Sequence, residues 1–401
     1  MSLLLNETKD IYRQEEDDLL KVILNERFFK PWCENKMAED DPYTLQQDAG
    51  LEIFITNACN QHCEYCYLTK YDGLYPHDLR NPELLLSNLR KLYDWILNNK
   101  MTIPKCEFFT GEIWQTQFGL DILELTYEYI CKGMEIQWFL IASNCSFVND
   151  PVQLQKIQTY IDKFDDGAHQ LSFSISLDGA VIENEMRPLN SAVIKDDEYY
   201  ENIFNFAKHN NFYFHPMVAS KSSKYWIENH KWWEKKFKEY DFDTDELMML
   251  EVRNSDWTEE SINDYNNFMN YLVEDAFNRC GRNVEIFSNT LMGIRNRAKN
   301  LKLSGYIPWA FPEADSFFGC TVATDLCVRL GDLAICPCHR TSYDKYVYGK
   351  FVLDENGDIF TVTANNTQMA VKILMGNLST TMNKCDTCVF NPYCLKGCAG
   401  S

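Results

Sequence analysis

Three cysteines fall within eight residues, Cys59-Asn60-Gln61-His62-Cys63-Glu64-Tyr65-Cys66, shortly after the apolar run Leu51-Glu52-Ile53-Phe54-Ile55. Their C-x3-C-x2-C spacing constrains the chain more than any other feature. Thiolates are the usual ligands of iron–sulfur clusters. A cubane needs four ligands, so three thiols leave one iron open to a small molecule that can bind and react. Zinc is the competing reading. Zinc sites usually pair C-x2-C with a distant partner pair, and the other cysteines do not make that reading simpler.

The sixteen cysteines are unevenly spread over 401 residues. Cys33, Cys106, Cys131, Cys145 and Cys280 are scattered and read as small core residues. Eight more crowd between Cys320 and Cys398. A secreted disulfide scaffold would be short, and the start Met1-Ser2-Leu3-Leu4-Leu5-Asn6-Glu7 lacks the pattern of a signal peptide. No apolar run reaches transmembrane length. The expectation is a cytoplasmic chain with metal sites and no membrane partner, in an anaerobic or microaerobic cell because exposed clusters are oxygen-sensitive. A net charge of −21 argues against binding a nucleic-acid backbone, which needs Lys and Arg on phosphates. It fits a basic peptide partner and also plain solubility.

Residues 1–50 form an acidic extension with helical spacing over Asp17–Phe29, ended by Asp40-Asp41-Pro42. It reads as a packing arm or helical lid. From Leu51 strands and helices alternate, with strands expected at 51–56, 105–109, 137–142, 171–177, 212–218 and 247–252. Asn81-Pro82-Glu83 is a helix start, with Asn as cap and Pro in the first turn. Six such units imply an α/β fold with a parallel sheet and right-handed crossovers. Active sites of such barrels form at the carboxyl ends of the strands, where the cysteine motif lies. From about Phe311 strands shorten and cysteines crowd. The expected division is 1–50, 51–310 and 311–401.

The cysteine motif, with an aromatic before its last thiol, resembles the signature of radical S-adenosylmethionine (SAM) enzymes. The later strand ends follow that family's order. Phe109-Thr110-Gly111-Glu112 stands where the family has Gly-Gly-Glu, with Thr110 in place of a glycine. Ala142-Ser143-Asn144 resembles Thr-Asn-Gly, and Ile175-Ser176-Leu177-Asp178-Gly179 precedes Arg187. The acidic residue usual before that Arg is here Asn184. The resemblance implies a partial (β/α)6 TIM-type barrel in which Cys59, Cys63 and Cys66 hold a [4Fe–4S] cluster. Thr110, Gly111 and Glu112 would meet the amino group of SAM, Asn144 its ribose, Arg187 its carboxylate and Tyr65 its adenine. Ser176 would face the cofactor. One electron then cleaves SAM to methionine and a 5′-deoxyadenosyl radical, which abstracts hydrogen.

The C-terminal cysteines resemble the SPASM domain of peptide-modifying radical SAM enzymes, which holds two auxiliary [4Fe–4S] clusters. Cys320, Gly331 and Cys336 match its first block, and Cys385-x2-Cys388-x5-Cys394-x3-Cys398 its second. The implied first cluster takes Cys320, Cys327, Cys398 and either Cys336 or Cys338. The second takes Cys385, Cys388 and Cys394. The family's last cysteine has no counterpart before Ser401, which leaves the fourth ligand of that cluster open. A zinc ribbon is the competing reading of the C-x2-C pair.

The resemblance implies an enzyme that matures a ribosomally made precursor peptide by a thioether or carbon–carbon crosslink. It also implies a reducing partner such as flavodoxin or ferredoxin. The alternatives are an anaerobic sulfatase-maturating enzyme forming formylglycine and a non-enzymatic iron–sulfur electron carrier. A carrier needs no cofactor pocket, and SAM methyl transfer would need a further cysteine motif. Glu251 and Arg253, at the end of the sixth expected strand, are the candidate catalytic pair, with a salt-bridged strand end as the plainer role. A six-stranded barrel would be open on one side, so a peptide could lie across its mouth or pair with a strand edge.

Cys385→Ala or Cys394→Ala should lower iron content and abolish substrate turnover while keeping uncoupled SAM cleavage. Iron analysis of anaerobically purified protein checks this, and zinc in place of iron would contradict the SPASM resemblance.

Overall fold

The computed structural model describes residues 2–34, 49–70, 72–109, 111–188, 195–243, 250–251, 256–280 and 325–368. Helices α1 (Ser2–Leu24) and α2 (Lys30–Cys33) are joined by a π-helical turn at Asn25–Phe29. Then come β1 (Leu51–Phe54), α3 (Tyr67–Lys70), α4 (Pro82–Asn98), β2 (Thr102–Phe109), α5 (Phe118–Cys131), β3 (Glu135–Ser143), α6 (Pro151–Phe164) and β4 (Gln170–Ile175). They are followed by α7 (Glu183–Met186), α8 (Asp197–Asn210), β5 (Tyr213–Phe214), β6 (Met217–Val218), α9 (Trp226–Glu239), β7 (Leu250–Glu251) and α10 (Glu259–Cys280). The last elements are β8 (Leu326–Arg329), β9 (Ala334–Cys336), β10 (Gly349–Leu353) and β11 (Ile359–Ala364).

Nine strands form one sheet in the order β11-β10-β9-β8-β1-β2-β3-β4-β5. From β8 to β5 all neighbours are parallel, whereas β8 to β11 are joined antiparallel. Central β1 is buried along its whole length, including Glu52, as a strand covered on both faces must be. The helices start where local chemistry dictates. Asn81 Oδ1 accepts from Leu84 N, with Pro82 in the first turn of α4, and Asp150 with Pro151 does the same for α6. Leu85, Leu89, Leu92 and Ile96 then form the buried stripe of α4.

One expectation is corrected. The single strand expected at 212–218 is broken into β5 and β6. Pro216 has no N–H to give a ladder and restricts His215 before it. β5 therefore pairs with β4, while β6 pairs with β7 in a separate two-stranded ladder. Among the described residues the parallel sheet ends at β5. β8, from beyond the boundary expected at 310, lies parallel to β1 inside the same sheet. Lys105 Nζ lies 2.9 Å from Asp325, and Asn88 Nδ2 donates to Leu330 O at 2.8 Å and Gly331 O at 3.1 Å.

The N-terminal helix is longer than the stretch expected at 17–29 and acts as a packing arm. Leu20, Leu24, Phe28 and Trp32 are buried. Asp17 Oδ1 accepts from Ala364 N at 2.6 Å and from Thr363 Oγ1 at 2.9 Å, capping the edge of β11. Among the described residues no helix is long and apolar enough to cross a membrane.

Leu20 is fully buried and Leu19 is 46% exposed, so the two make a paired test of the arm. Leu20→Ala should cost about 2–5 kcal/mol in denaturant unfolding, against under about 0.5 for Leu19→Ala.

Candidate functional site

The carboxyl ends of β1 to β5 surround a cavity of about 310 Å³. Cys59, Cys63, Cys66, Tyr65, Gly111, Asn144, Ser176 and Arg187 all line it. The parallel register brings these residues, distant in sequence, to one end of the sheet.

The cysteine loop is held by main-chain bonds to the turn around Arg187. His62 N donates to Pro188 O at 3.1 Å and Glu64 N to Met186 O at 2.9 Å. The three thiols are half-buried. Burial pushes Cys59 up to about 12 and Cys63 up to about 11. The donor set suits an iron–sulfur cluster in chemistry and location, since all three sulfurs belong to one cavity wall. Among the described residues no three His, Cys, Asp or Glu side chains converge closely enough to hold a metal ion.

Gly111 brings the end of β2 close against the chain that leads into Cys59. Its N donates to Thr56 O at 2.7 Å and Glu112 N donates to Ala58 O at 2.7 Å. A Cβ at Gly111 would lie 2.0 Å from Ala58 O. Glu112 is buried behind the wall. Its carboxylate accepts from Asn144 N at 2.7 Å, from Ser143 Oγ at 3.1 Å and from Trp114 N at 3.4 Å. Burial pushes it up to about 7 against those donors. Asn144 Nδ2 donates to Asn60 Oδ1 at 2.8 Å, which ties the end of β3 to the cysteine loop.

Arg187 belongs to a buried charge network. Its Nη1 donates to Tyr65 Oη at 2.9 Å, and Tyr65 donates to Asp178 Oδ2 at 2.6 Å. Arg187 Nη1 lies 3.8 Å from Asp178 Oδ1 and its Nε 3.4 Å from Glu183 Oε1. Lys195 Nζ completes the network, donating to Glu183 Oε1 at 2.6 Å and to Arg187 O at 2.7 Å. Burial raises the Asp178 carboxyl, while Arg187 beside it pulls the other way.

Sequence reasoning missed His215, His339, Arg340, Glu183 and Lys195. His215 lines the cavity just before Pro216, with Nδ1 3.3 Å from Ser174 Oγ. Its ring is exposed at the cavity mouth, and crowding by the cavity walls together with the charges of Arg187, Arg340 and His339 pushes its pKa down. His339 stacks on Phe109 with ring centroids 3.5 Å apart, and its N donates to Glu52 Oε2 at 3.1 Å. The adjacent Cys338 and the Pro216 breaker were the available signals; Lys195 had none.

The candidate auxiliary thiols Cys327, Cys336 and Cys338 are buried, and Cys327 stands opposite Cys336 across β8 and β9. Glu251 lies in β7. Thr110, Arg253, Cys320, Cys385, Cys388, Cys394 and Cys398 lie outside the described residues.

The fold is similar to that of solved structures of anSMEcpe, an anaerobic sulfatase-maturating enzyme of the radical SAM, SPASM-domain type. Native anSMEcpe with bound AdoMet is 17% identical at a TM-score of 0.54, over 87% of this chain and 89% of that one. Native anSMEcpe with bound AdoMet and Kp18Cys peptide is 17% identical at a TM-score of 0.56, over the same shares. A histidine-tagged form of anSMEcpe with bound AdoMet is 16% identical at 0.56, over 87% and 86%. At this identity the likeness is one of fold. No family model and no curated protein matches the chain.

Gly111→Ala should destabilise the protein by about 1–3 kcal/mol, since the added methyl meets fixed backbone. Gly73→Ala, where a Cβ meets nothing within 4 Å, should be near neutral in the same unfolding experiment.

Proposed function

We propose that this chain is a radical SAM enzyme of SPASM type that modifies a ribosomally made peptide by a thioether or carbon–carbon crosslink. The observation that carries the reading is the meeting of Cys59, Cys63, Cys66, Gly111, Asn144, Ser176 and Arg187 on one cavity. A [4Fe–4S] cluster bound there would supply the electron that cleaves SAM and yields the 5′-deoxyadenosyl radical. The chain's own residues bind and orient. The Gly111 backbone brings the end of β2 against the cysteine loop, Asn144 and Ser176 offer polar groups, and Arg187 offers positive charge beside the thiols. Phe109, stacked with His339, contributes an apolar wall that excludes water.

A second cleft of about 620 Å³ adjoins the first and shares Tyr65 and Tyr67 with it. Its polar wall at the start of α10 suits an extended peptide. Cys327, Cys336 and Cys338 are the described candidates for an auxiliary cluster, and a flavodoxin or ferredoxin is the proposed reductant. Formylglycine formation is the second reading, favoured by the fold neighbour solved with AdoMet and a Kp18Cys peptide. Product mass separates the two on a cysteine, because a crosslink removes two hydrogens whereas conversion of Cys to formylglycine loses sulfur and two hydrogens and gains a water-derived oxygen. On a serine, where both remove two hydrogens, hydrazide trapping of the aldehyde separates them.

Anaerobically reconstituted, reduced protein should convert SAM to methionine and 5′-deoxyadenosine. The triple variant Cys59→Ala, Cys63→Ala, Cys66→Ala should produce none, by chromatography of the nucleoside. A triple variant that still yields 5′-deoxyadenosine contradicts the proposal.

A further inference from the structure

Two guanidinium groups line the cavity, and their surroundings differ. Arg187 is committed inside the protein, to Tyr65, Asp178 and Glu183. Arg340 has no carboxylate partner among the described residues, and its guanidinium lies over the Tyr67 ring, 5.7 Å from the centroid. Glu107, the acidic side chain on the same wall, is paired with Lys105 at 2.7 Å. Acidic residues outnumber basic ones by 59 to 38 in this chain, yet none of those described pairs with this arginine.

The backbone that presents Arg340 is fixed. Thr341 N donates to Cys338 O at 3.0 Å, and His339 N donates to the buried Glu52 at 3.1 Å. A ring below and a hydrogen-bonded turn behind leave the donors of the guanidinium without a carboxylate among the described residues. A guanidinium stays charged and offers planar paired donors. The group that fits such a fork is a carboxylate.

We infer that Arg340 is the receptor for a carboxylate on the ligand that enters this cavity. The carboxylate has two sources, the methionine end of SAM and an acidic group on the peptide; naming SAM rests on the function proposed above. The receptor comes from the region after β9, so the strands beyond β1 complete a cavity built at the ends of β1 to β5.

The test uses the full, cluster-reconstituted chain and its Arg340→Gln and Arg340→Lys variants. Equilibrium binding is measured for SAM, for decarboxylated SAM, and for a cysteine-containing decapeptide carrying one Asp or its Asn counterpart. If SAM supplies the carboxylate, Arg340→Gln weakens SAM about tenfold or more, leaves decarboxylated SAM unchanged, and Arg340→Lys recovers part of the loss. If the peptide supplies it, SAM is unaffected and the preference for Asp over Asn is lost. SAM affinity and the Asp-to-Asn ratio both within about twofold of the parent, with an unchanged circular dichroism spectrum, overturn the inference. A parent that binds no SAM defeats the proposed function, while the peptide pair still reads Arg340. Should Arg340→Gln fail to fold, Arg340→Lys carries the test, since it keeps the charge and removes the fork.

Discussion

A carboxylate without exposed surface, Asp178, holds the two halves of the site together. Its side chain accepts from Tyr65 of the cysteine loop and from Met217 N at the start of β6. Its carbonyl accepts from Asn229 Nδ2 and Trp233 Nε1 of α9. The next residue, Gly179, has φ +110, and a Cβ there would lie 2.4 Å from Asn229 Oδ1. Burying Asp178 and Glu183 is tolerable only because Arg187 and Lys195 are buried with them. Removing one partner from such a network leaves an uncompensated charge, at a cost of about 3–5 kcal/mol. The cysteine loop is thus positioned by electrostatics below it as much as by β1 behind it.

That arrangement shapes the electrostatics of the cavity. Arg187 is neutralised from behind, whereas among the described residues Arg340 has an aromatic face and no carboxylate against it. His215 shares the cavity with both, and their charges disfavour its protonation. The cavity lining therefore carries net positive character in a strongly acidic chain, which favours an anionic end on whatever ligand lies against the cysteine loop.

The first four strands and their helices were legible because each is a local pattern, an apolar run followed by a capped amphipathic helix. Asn81-Pro82 shows this most directly. The break after β5 was legible too, had Pro216 been weighed against a continuous strand. β8 beside β1 was not, because a long-range parallel pairing leaves no local trace. Lys195 was hidden for the same reason, since a lysine normally reads as surface and its burial depends on Glu183 folding back over it. The carboxylate of Glu112, which accepts from Asn144 N and Ser143 Oγ behind the wall, shows a structural tie that the strand-end motif alone did not reveal.

The central claim is that the loop at the end of β1 holds a cluster with one iron open to SAM. Electron paramagnetic resonance of the anaerobically reduced protein, before and after SAM is added, addresses it most directly. The account predicts a reduced [4Fe–4S] signal whose shape changes on adding SAM, because the ligand reaches iron itself. A cluster signal unaltered by saturating SAM, or a protein that takes up zinc and shows no such signal, would contradict it.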